Sequence, residues 1–432
     1  MVWRNPIAIS RQRLQKTVPM TRLPATSDQT SDNASVMRDF YERHPYPPPV
    51  RDLGDYRRIW GDPNRRRVEA ALYWPHQRYR ADRQILVAGC GTSQGARHAI
   101  RWPDAQVTAF DISATGIRET LKLKKRYKLD NLDVVQCRVE DAGELGHDFD
   151  HVVCTGVIHH LPDPEVGLRA LRSVMAPHGA MQLMVYAPYG RAGIYMLQEY
   201  FRRTEVKGRS NPIKSAQKAL AVLPRDHPLA PLLAKSPDFA TDAGFADALL
   251  NPIDRPFSVP EFFHFLEEGG LKFGRWLRQA PYLFECGQLA ASPDRARMKN
   301  LEDVNRYAAA ELFRGRMVEH TAIVYRDDLD IDPHAVWTSV DALENAVPLK
   351  MPTSITVRDR LPPGAAAVLI NSAHTFTDLY LPVDARQLAL FETINGTRTA
   401  RDVLEQTSDK RQASEFLKTL WLHDQIVFET LQ

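Results

Sequence analysis

A short apolar run at residues 85–88 passes directly into Gly89-Cys90-Gly91-Thr92-Ser93-Gln94-Gly95 and then into a stretch with helical spacing. Glycines at such a turn let the backbone take conformations closed to other residues, and approach a ligand where a Cβ would collide. The alternation continues downstream. Residues 106–110, 132–137, 151–154 and 180–186 read as strands, with helical patterns at 114–127 and 165–175 between them. This order predicts a parallel sheet covered by helices on both faces. Ligands of such sheets sit beyond the carboxyl ends of the strands, where the glycine turn lies.

The chain of 432 residues exceeds what one core accommodates, so more than one domain is expected. Residues 1–35 read as a disordered tail: Arg4, Arg11, Arg13, Lys16 and Arg22 precede the first acid, Asp28, in the manner of a transit peptide, but without a developed apolar face. Met37, Phe40 and Tyr41 then have helical spacing, and a proline-rich run at 45–49 ends that helix. Together with a helical stretch at 65–74 this gives an N-terminal lid over 36–84. The sheet domain is expected over 85–328, with a helical cap inserted at 190–260. Strand patterns at 271–277 and 320–325 are expected to close the sheet as an antiparallel edge hairpin. An Asp- and Pro-rich linker follows at 329–352. Residues 353–432 place two strand-like runs before a helix at 385–394, the Asn395-Gly396 turn and two further helical segments, the order of a small winged-helix module.

Charge excludes little but directs the reading. The 56 Lys and Arg are balanced by 53 Asp and Glu spread along the chain, so bulk charge gives no support to general nucleic-acid affinity. The cap carries Arg202, Arg203, Lys207, Arg209, Lys214 and Lys218, but only Tyr200 and Phe201 supply aromatic rings for stacking bases. A nucleic-acid partner is therefore not expected. Cys90, Cys137, Cys154 and Cys286 lack the paired spacing of a zinc or dithiol site, so no metal is expected and a reduced, cytoplasmic chain is. No apolar run is long enough to cross a bilayer, and no membrane partner is expected.

Asp111 ends the second strand about twenty residues past the glycine turn, where an acid can accept hydrogen bonds from both hydroxyls of a ribose. A nicotinamide dinucleotide would call for a third glycine at Gln94, where its pyrophosphate packs against the helix. That departure favours an adenosyl ligand without phosphate. From 36 to 326 the chain resembles the class I, Rossmann-like, S-adenosylmethionine-dependent methyltransferases. The likeness rests on Gly89 to Gly95, Thr108-Ala109-Phe110-Asp111, Phe149-Asp150-His151-Val152-Val153-Cys154, Gly156-Val157-Ile158-His159-His160-Leu161-Pro162-Asp163-Pro164 and Pro177-His178-Gly179. It implies an α/β fold with a seven-stranded sheet and S-adenosyl-L-methionine as cofactor.

By that resemblance Gly89, Cys90, Gly91, Thr92, Gln94, Asp111, Ile112, Thr155 and Gly156 hold the cofactor, with Val139 and Glu140, or Asp141, at its adenine. Two positions depart from the family pattern: Val87 stands where relatives often carry an acid for the methionine ammonium, and Arg138 where an Asp often meets the adenine amine. Methyl transfer is an in-line displacement that needs alignment and desolvation rather than a protein nucleophile. A hydroxyl or ammonium acceptor additionally needs a base, and His159 or His160 stands at the carboxyl edge of the sheet. Tyr41, His44 and Tyr46 are placed to fold over the pocket, Tyr186 and Tyr189 to emerge toward its mouth, and Arg191 to meet an anionic acceptor.

Residues 385–429 resemble the winged-helix modules related to the peptide-binding protein of pyrroloquinoline quinone biosynthesis, through Leu388 to Phe391, Ile394-Asn395-Gly396-Thr397-Arg398-Thr399 and Phe416-Leu417. Such modules can capture a peptide by strand addition. The expected acceptor is a small molecule. A peptide or protein acceptor is the second reading, and a non-catalytic regulatory or scaffold protein that binds the cofactor is the third.

Overall fold

The computed structural model describes residues 27–146, 148–329 and 331–430. The lid is α1 (Ser27–Arg43), α2 (Gly54–Trp60) and α3 (Pro63–Tyr73). The first helix starts at Ser27, not at Val36, so residues 27–35 are not the disordered tail that the sequence leads one to expect. Polar residues dominate that turn, and without an apolar stripe nothing marks it as helix. The basic segment ahead of it, residues 1–26, lies outside the described residues.

The sheet domain continues with β1 (Gln84–Ala88), α4 (Gln94–Arg101), β2 (Gln106–Asp111), α5 (Ala114–Tyr127), β3 (Leu132–Gln136), β4 (Phe149–Thr155), α6 (Pro164–Ser173) and β5 (Met175–Tyr186). The cap is α7 (Ala192–Arg203), α8 (Pro212–Leu220), α9 (Ala230–Leu233) and α10 (Asp242–Leu250), gathered around Phe201, Phe245 and Leu249. Then come α11 (Val259–Glu268), β6 (Leu271–Trp276), α12 (Arg295–Met298), α13 (Asp303–Arg314) and β7 (Glu319–Arg326). The seven strands lie in the order β3-β2-β1-β4-β5-β7-β6; the first five are parallel, and β7 runs antiparallel between β5 and β6. This is the Rossmann-like methyltransferase arrangement.

Strand alternation divides the core in two. Leu86, Phe110, Leu183 and Val324 point to the face packed with residues of α6 and α11, whereas Ile85, Val87, Val107 and Ile323 point to the face packed with α3 and α4. Helix starts are set by short side chains at the strand ends. Ser113 accepts from Gly116 N at 3.2 Å to open α5, and Asp163 accepts from Val166 N at 3.0 Å, with Pro164 pre-shaped for the first turn, to open α6.

The C-terminal module contains α14 (Val340–Glu344), β8 (Val347–Lys350), β9 (Ser354–Val357), β10 (Ala367–Asn371), β11 (Tyr380–Val383), α15 (Ala385–Thr393), α16 (Ala400–Leu404), α17 (Lys410–Leu422) and β12 (Ile426–Glu429). The segment expected as a linker, 329–352, is part of its fold. Strand β8 pairs with β12, and Val336 and Leu343 enter the module core beside Phe391, Phe416 and Trp421. Leu349 and Val427 pack with Ala71 and Leu72 of α3, so apolar burial welds the module to the lid. Asp and Pro in that segment cap and bend a packed chain, which composition alone cannot tell from a free connector.

Candidate functional site

A cavity of about 270 Å³ lies at the carboxyl ends of β1, β2 and β4, beneath α1. Gly89, Gly91, Thr92, Gln94, Asp111, Ile112, Val139, Glu140, Thr155 and Gly156 line it, as do Tyr41, Tyr46, His160 and Tyr186. The glycine turn is required by geometry. Gly89 has φ +63°, and a Cβ there would lie 2.3 Å from Val157 Cγ2; Gly91 has φ +51°, and a Cβ would lie 2.7 Å from the carbonyl oxygen of Tyr46. The second collision is with the lid, so this glycine serves closure as well as the ligand's approach.

Asp111 is half-buried at the end of β2, and both its oxygens hold backbone: Oδ2 accepts from Gly91 N and Oδ1 from Ser113 N, each at 2.8 Å. Burial raises its pKa, opposed by those two N–H donors. Each carboxylate oxygen retains a lone pair for a hydroxyl of a bound sugar. The lid is tied to the same corner. Glu42 accepts from Ser113 Oγ at 3.1 Å, from Thr115 N at 3.2 Å and from Thr115 Oγ1, while Thr92 Oγ1 donates to the carbonyl of Pro47 at 2.7 Å.

The other end of the cavity is aromatic, and acids behind its lining hold the tyrosines. Tyr41 OH donates to Asp247 Oδ1 at 3.0 Å, Tyr186 OH approaches Asp247 Oδ2 at 3.4 Å, and Asn251 Nδ2 donates to Tyr41 OH at 3.2 Å. Tyr46 OH donates to Asp238 Oδ1 at 3.0 Å. These contacts join the lid to the cap. Sequence reading missed Asp238, Asp247 and Asn251, which lie in a helical insertion without a recognisable spacing. His160 Nδ1 lies 2.6 Å from the carbonyl oxygen of Ile253, which can only accept, so Nδ1 carries the proton and Nε2 is left with a lone pair and no hydrogen-bond partner.

Five expected site residues are not on the cavity wall. Cys90 is buried with its thiol near Thr120, and its N–H donates to the carbonyl of Phe110. His44 packs against Phe40, and Tyr189 is exposed. His159 is fully buried with both ring nitrogens unpartnered and its ring 4.1 Å from that of Tyr186; burial, then His160 and Arg191, push its pKa well down. Arg191 does not face an acceptor: it is 7% exposed, its guanidinium lies 3.5 Å over the Tyr186 ring, and it pairs with Asp254 at 3.4 Å. An arginine buried this deeply must spend its charge on an internal partner.

His159, His160 and Asp254 bring ligand atoms within 4.8 Å of one another, but Asp254 is already neutralised by Arg191. Of the two departures from the family pattern, Val87 is core rather than cavity, and Arg138 lines the cavity with its guanidinium 3.3 Å from Glu140.

A sheet of this order, with a glycine turn after β1 and an acid closing β2 beside a cavity at the strand ends, has the Rossmann-like methyltransferase fold. Residues 86–181 match the family described as a methyltransferase domain. An uncharacterized protein of Synechococcus sp. is 29% identical over 280 residues, covering 62% of this chain and 65% of that protein. The ubiquinone biosynthesis O-methyltransferase of Xanthomonas axonopodis pv. citri is 31% identical over 134 residues, covering 30% of this chain and 54% of that enzyme. The alignments thus span about half to two thirds of the relatives' length. Among solved structures, PKMT2 from Rickettsia typhi in complex with AdoHcy superposes with a TM-score of 0.59 at 14% identity, over 86% of this chain and 76% of that one. That likeness extends the shared fold beyond the sheet domain. The cavity fits S-adenosylmethionine, the cofactor implied by the sequence resemblance: a half-buried acid for the sugar, apolar Ile112, Val139 and Leu161 for a purine, and a turn with no side chain in the way.

Proposed function

We propose that the protein transfers a methyl group to a small-molecule acceptor by in-line displacement, with His160 taking the acceptor's proton. Bound S-adenosylmethionine supplies an electrophilic methyl group on a sulfonium. The chain's part is to hold, enclose and deprotonate. Asp111, Gly89 and Gly91 hold the cofactor, and α1, latched through Glu42, Tyr41 and Tyr46, excludes water. With that cofactor bound, the acceptor's lone pair would take the methyl group, sulfur would keep the electrons of the broken carbon–sulfur bond, and His160 would take the acceptor's proton. The single observation that carries this reading is the His160 tautomer: the Ile253 carbonyl holds the proton on Nδ1 and leaves Nε2 without a hydrogen-bond partner in a residue that lines the cavity. Asp247 lies close enough to stabilise the imidazolium that results.

The lid helix α1, whose Ala34, Met37 and Tyr41 line the cavity, supports a small acceptor over a peptide. A hairpin followed by the three helices α15, α16 and α17 and a final strand supports a winged-helix-like module. Four free thiols, three of them buried, suit a reducing compartment such as the cytoplasm. Incubation with methyl-labelled cofactor and fractionated cell extract tests the function: label in an acid-soluble product supports it, and label only in precipitated protein rejects the small-molecule acceptor.

A further inference from the structure

A second cavity, of about 470 Å³, adjoins the first, because Thr155 and Met184 line both. Strands β5 and β7 contribute Gln182, Met184 and Thr321, and the segment after β6 contributes Leu277, Arg278 and Tyr282. The C-terminal module supplies the remaining side through residues 373–376, between β10 and β11. We propose that this space is the acceptor chamber, completed by the module, and that it takes a small, largely apolar molecule carrying one anionic group. The reactive atom would lie at Thr155 and Met184, and the anion toward Arg278 and Arg316. This rests on the methyl-transfer reading above and adds the class of acceptor.

Three observations carry it. The wall is mainly apolar or aromatic, with Leu277, Pro281, Tyr282, Met317 and Phe376, which suits a hydrocarbon or aromatic body. Charge on the wall is unbalanced. Arg278 and Arg316, both exposed at the cavity rim, face one acid, Glu319, and neither guanidinium makes a hydrogen bond or ion pair with another described residue. Nearby Arg275 and Arg314 are by contrast paired internally, with Asp424 at 3.1 Å and Asp378 at 3.0 Å. Two unpaired guanidiniums at a cavity are ready donors to carboxylate, sulfonate or phosphate. Finally, the His374 side chain is 2% exposed and lines the cavity; Nε2 lies 3.2 Å from Asp424, yet neither ring nitrogen makes a hydrogen bond among the described residues. Buried nitrogens are nearly always satisfied, and here a ligand atom would satisfy one.

The chamber can be probed with full-length protein loaded with S-adenosylhomocysteine and titrated, by fluorescence, with anilinonaphthalene sulfonate and with uncharged anilinonaphthalene. The sulfonate should saturate one site, and R278Q and R316Q should each weaken it by roughly tenfold, as expected for loss of a charged hydrogen bond. The uncharged probe should bind wild type and variants alike, and calorimetric affinity for S-adenosylhomocysteine should not change. Sulfonate binding indifferent to both substitutions would overturn the proposal. In the labelling experiment the methylated product should be retained on an anion exchanger; a labelled product that is neutral or cationic overturns the anionic acceptor while leaving methyl transfer intact. No label in any product, with S-adenosylhomocysteine still bound, instead removes methyl transfer and the chamber with it.

Discussion

Tyr41 on α1 donates its hydroxyl hydrogen to Asp247 on α10 at 3.0 Å, closing a contact between residues 206 positions apart. It is the centre of a latch between lid and cap that also includes Tyr186 and Asn251. The carboxylate is 3% exposed, so each donor it receives matters more than it would at the surface.

Replacing Tyr41 with Phe removes a donor from that buried carboxylate. The cost should be about 1–3 kcal/mol, the usual penalty for leaving a buried acceptor short. Denaturant titration measures the loss, and limited proteolysis should show earlier cleavage around α1. An unchanged midpoint and cleavage pattern would mean that the lid is held elsewhere.

Asp247 also gives the fold a pH dependence of definite sign. Burial raises its pKa above the unfolded value, opposed by His160 and the Tyr41 hydrogen bond. A carboxyl raised on folding stabilises fully below its unfolded pKa of about 3.9, and that contribution is lost as pH rises through the folded value. Asp247→Asn should therefore gain stability relative to wild type as pH increases across this window. Parallel stability curves for the two proteins would remove Asp247 from the account.

Asp111→Ala strips the acceptor from both the sugar and the glycine turn. Calorimetry with S-adenosylhomocysteine should show binding weakened by about 1–3 kcal/mol. Equal affinity in the variant would contradict the placement of the sugar at this acid.

The two adjacent histidines should separate cleanly. His160→Ala should lower turnover of the labelled product about 10²–10⁴-fold at saturating cofactor, the range for loss of a general base. His159→Phe, which keeps the ring packed on Tyr186, should leave turnover within roughly threefold of wild type, since it removes no proton acceptor from the cavity. Equal losses in both would deny His160 its special part.

Module and sheet domain share a buried ion pair, Arg275 with Asp424 at 3.1 Å, and Asp424 also accepts from Ala280 N at 3.0 Å. Burial lowers the Arg275 pKa and the Asp424 charge opposes that. Asp424→Ala should cost about 3–5 kcal/mol, because it strands a buried guanidinium. Differential scanning calorimetry should show the single transition falling or splitting, whereas an unaltered trace would place the coupling in the apolar contacts with α3 alone.

The parts of the site that were legible in the sequence share one property: neighbours along the chain carry them. Gly89 to Gln94, Asp111 and Thr155 to His160 each follow a strand, and a parallel sheet brings successive strand ends together without further information. The errors have the opposite origin. Arg191 looked free because the sequence does not show Asp254 folding back onto it. The segment 329–352 looked like a connector because β8 is recognisable only beside its partner β12. The start of α1 was missed because its first turn has no apolar period to detect.

Sequence by itself determined the sheet domain and the half of the cavity at the glycine turn and Asp111, since strand periodicity and glycine placement are local and the topology that joins them is nearly forced. Only the tertiary structure decided the half proposed for the acceptor. Asp247, the Ile253 carbonyl that orients His160, and residues 373–376 of the module come from elements far apart in the chain. Long-range packing brought them together, and no local spacing encodes it.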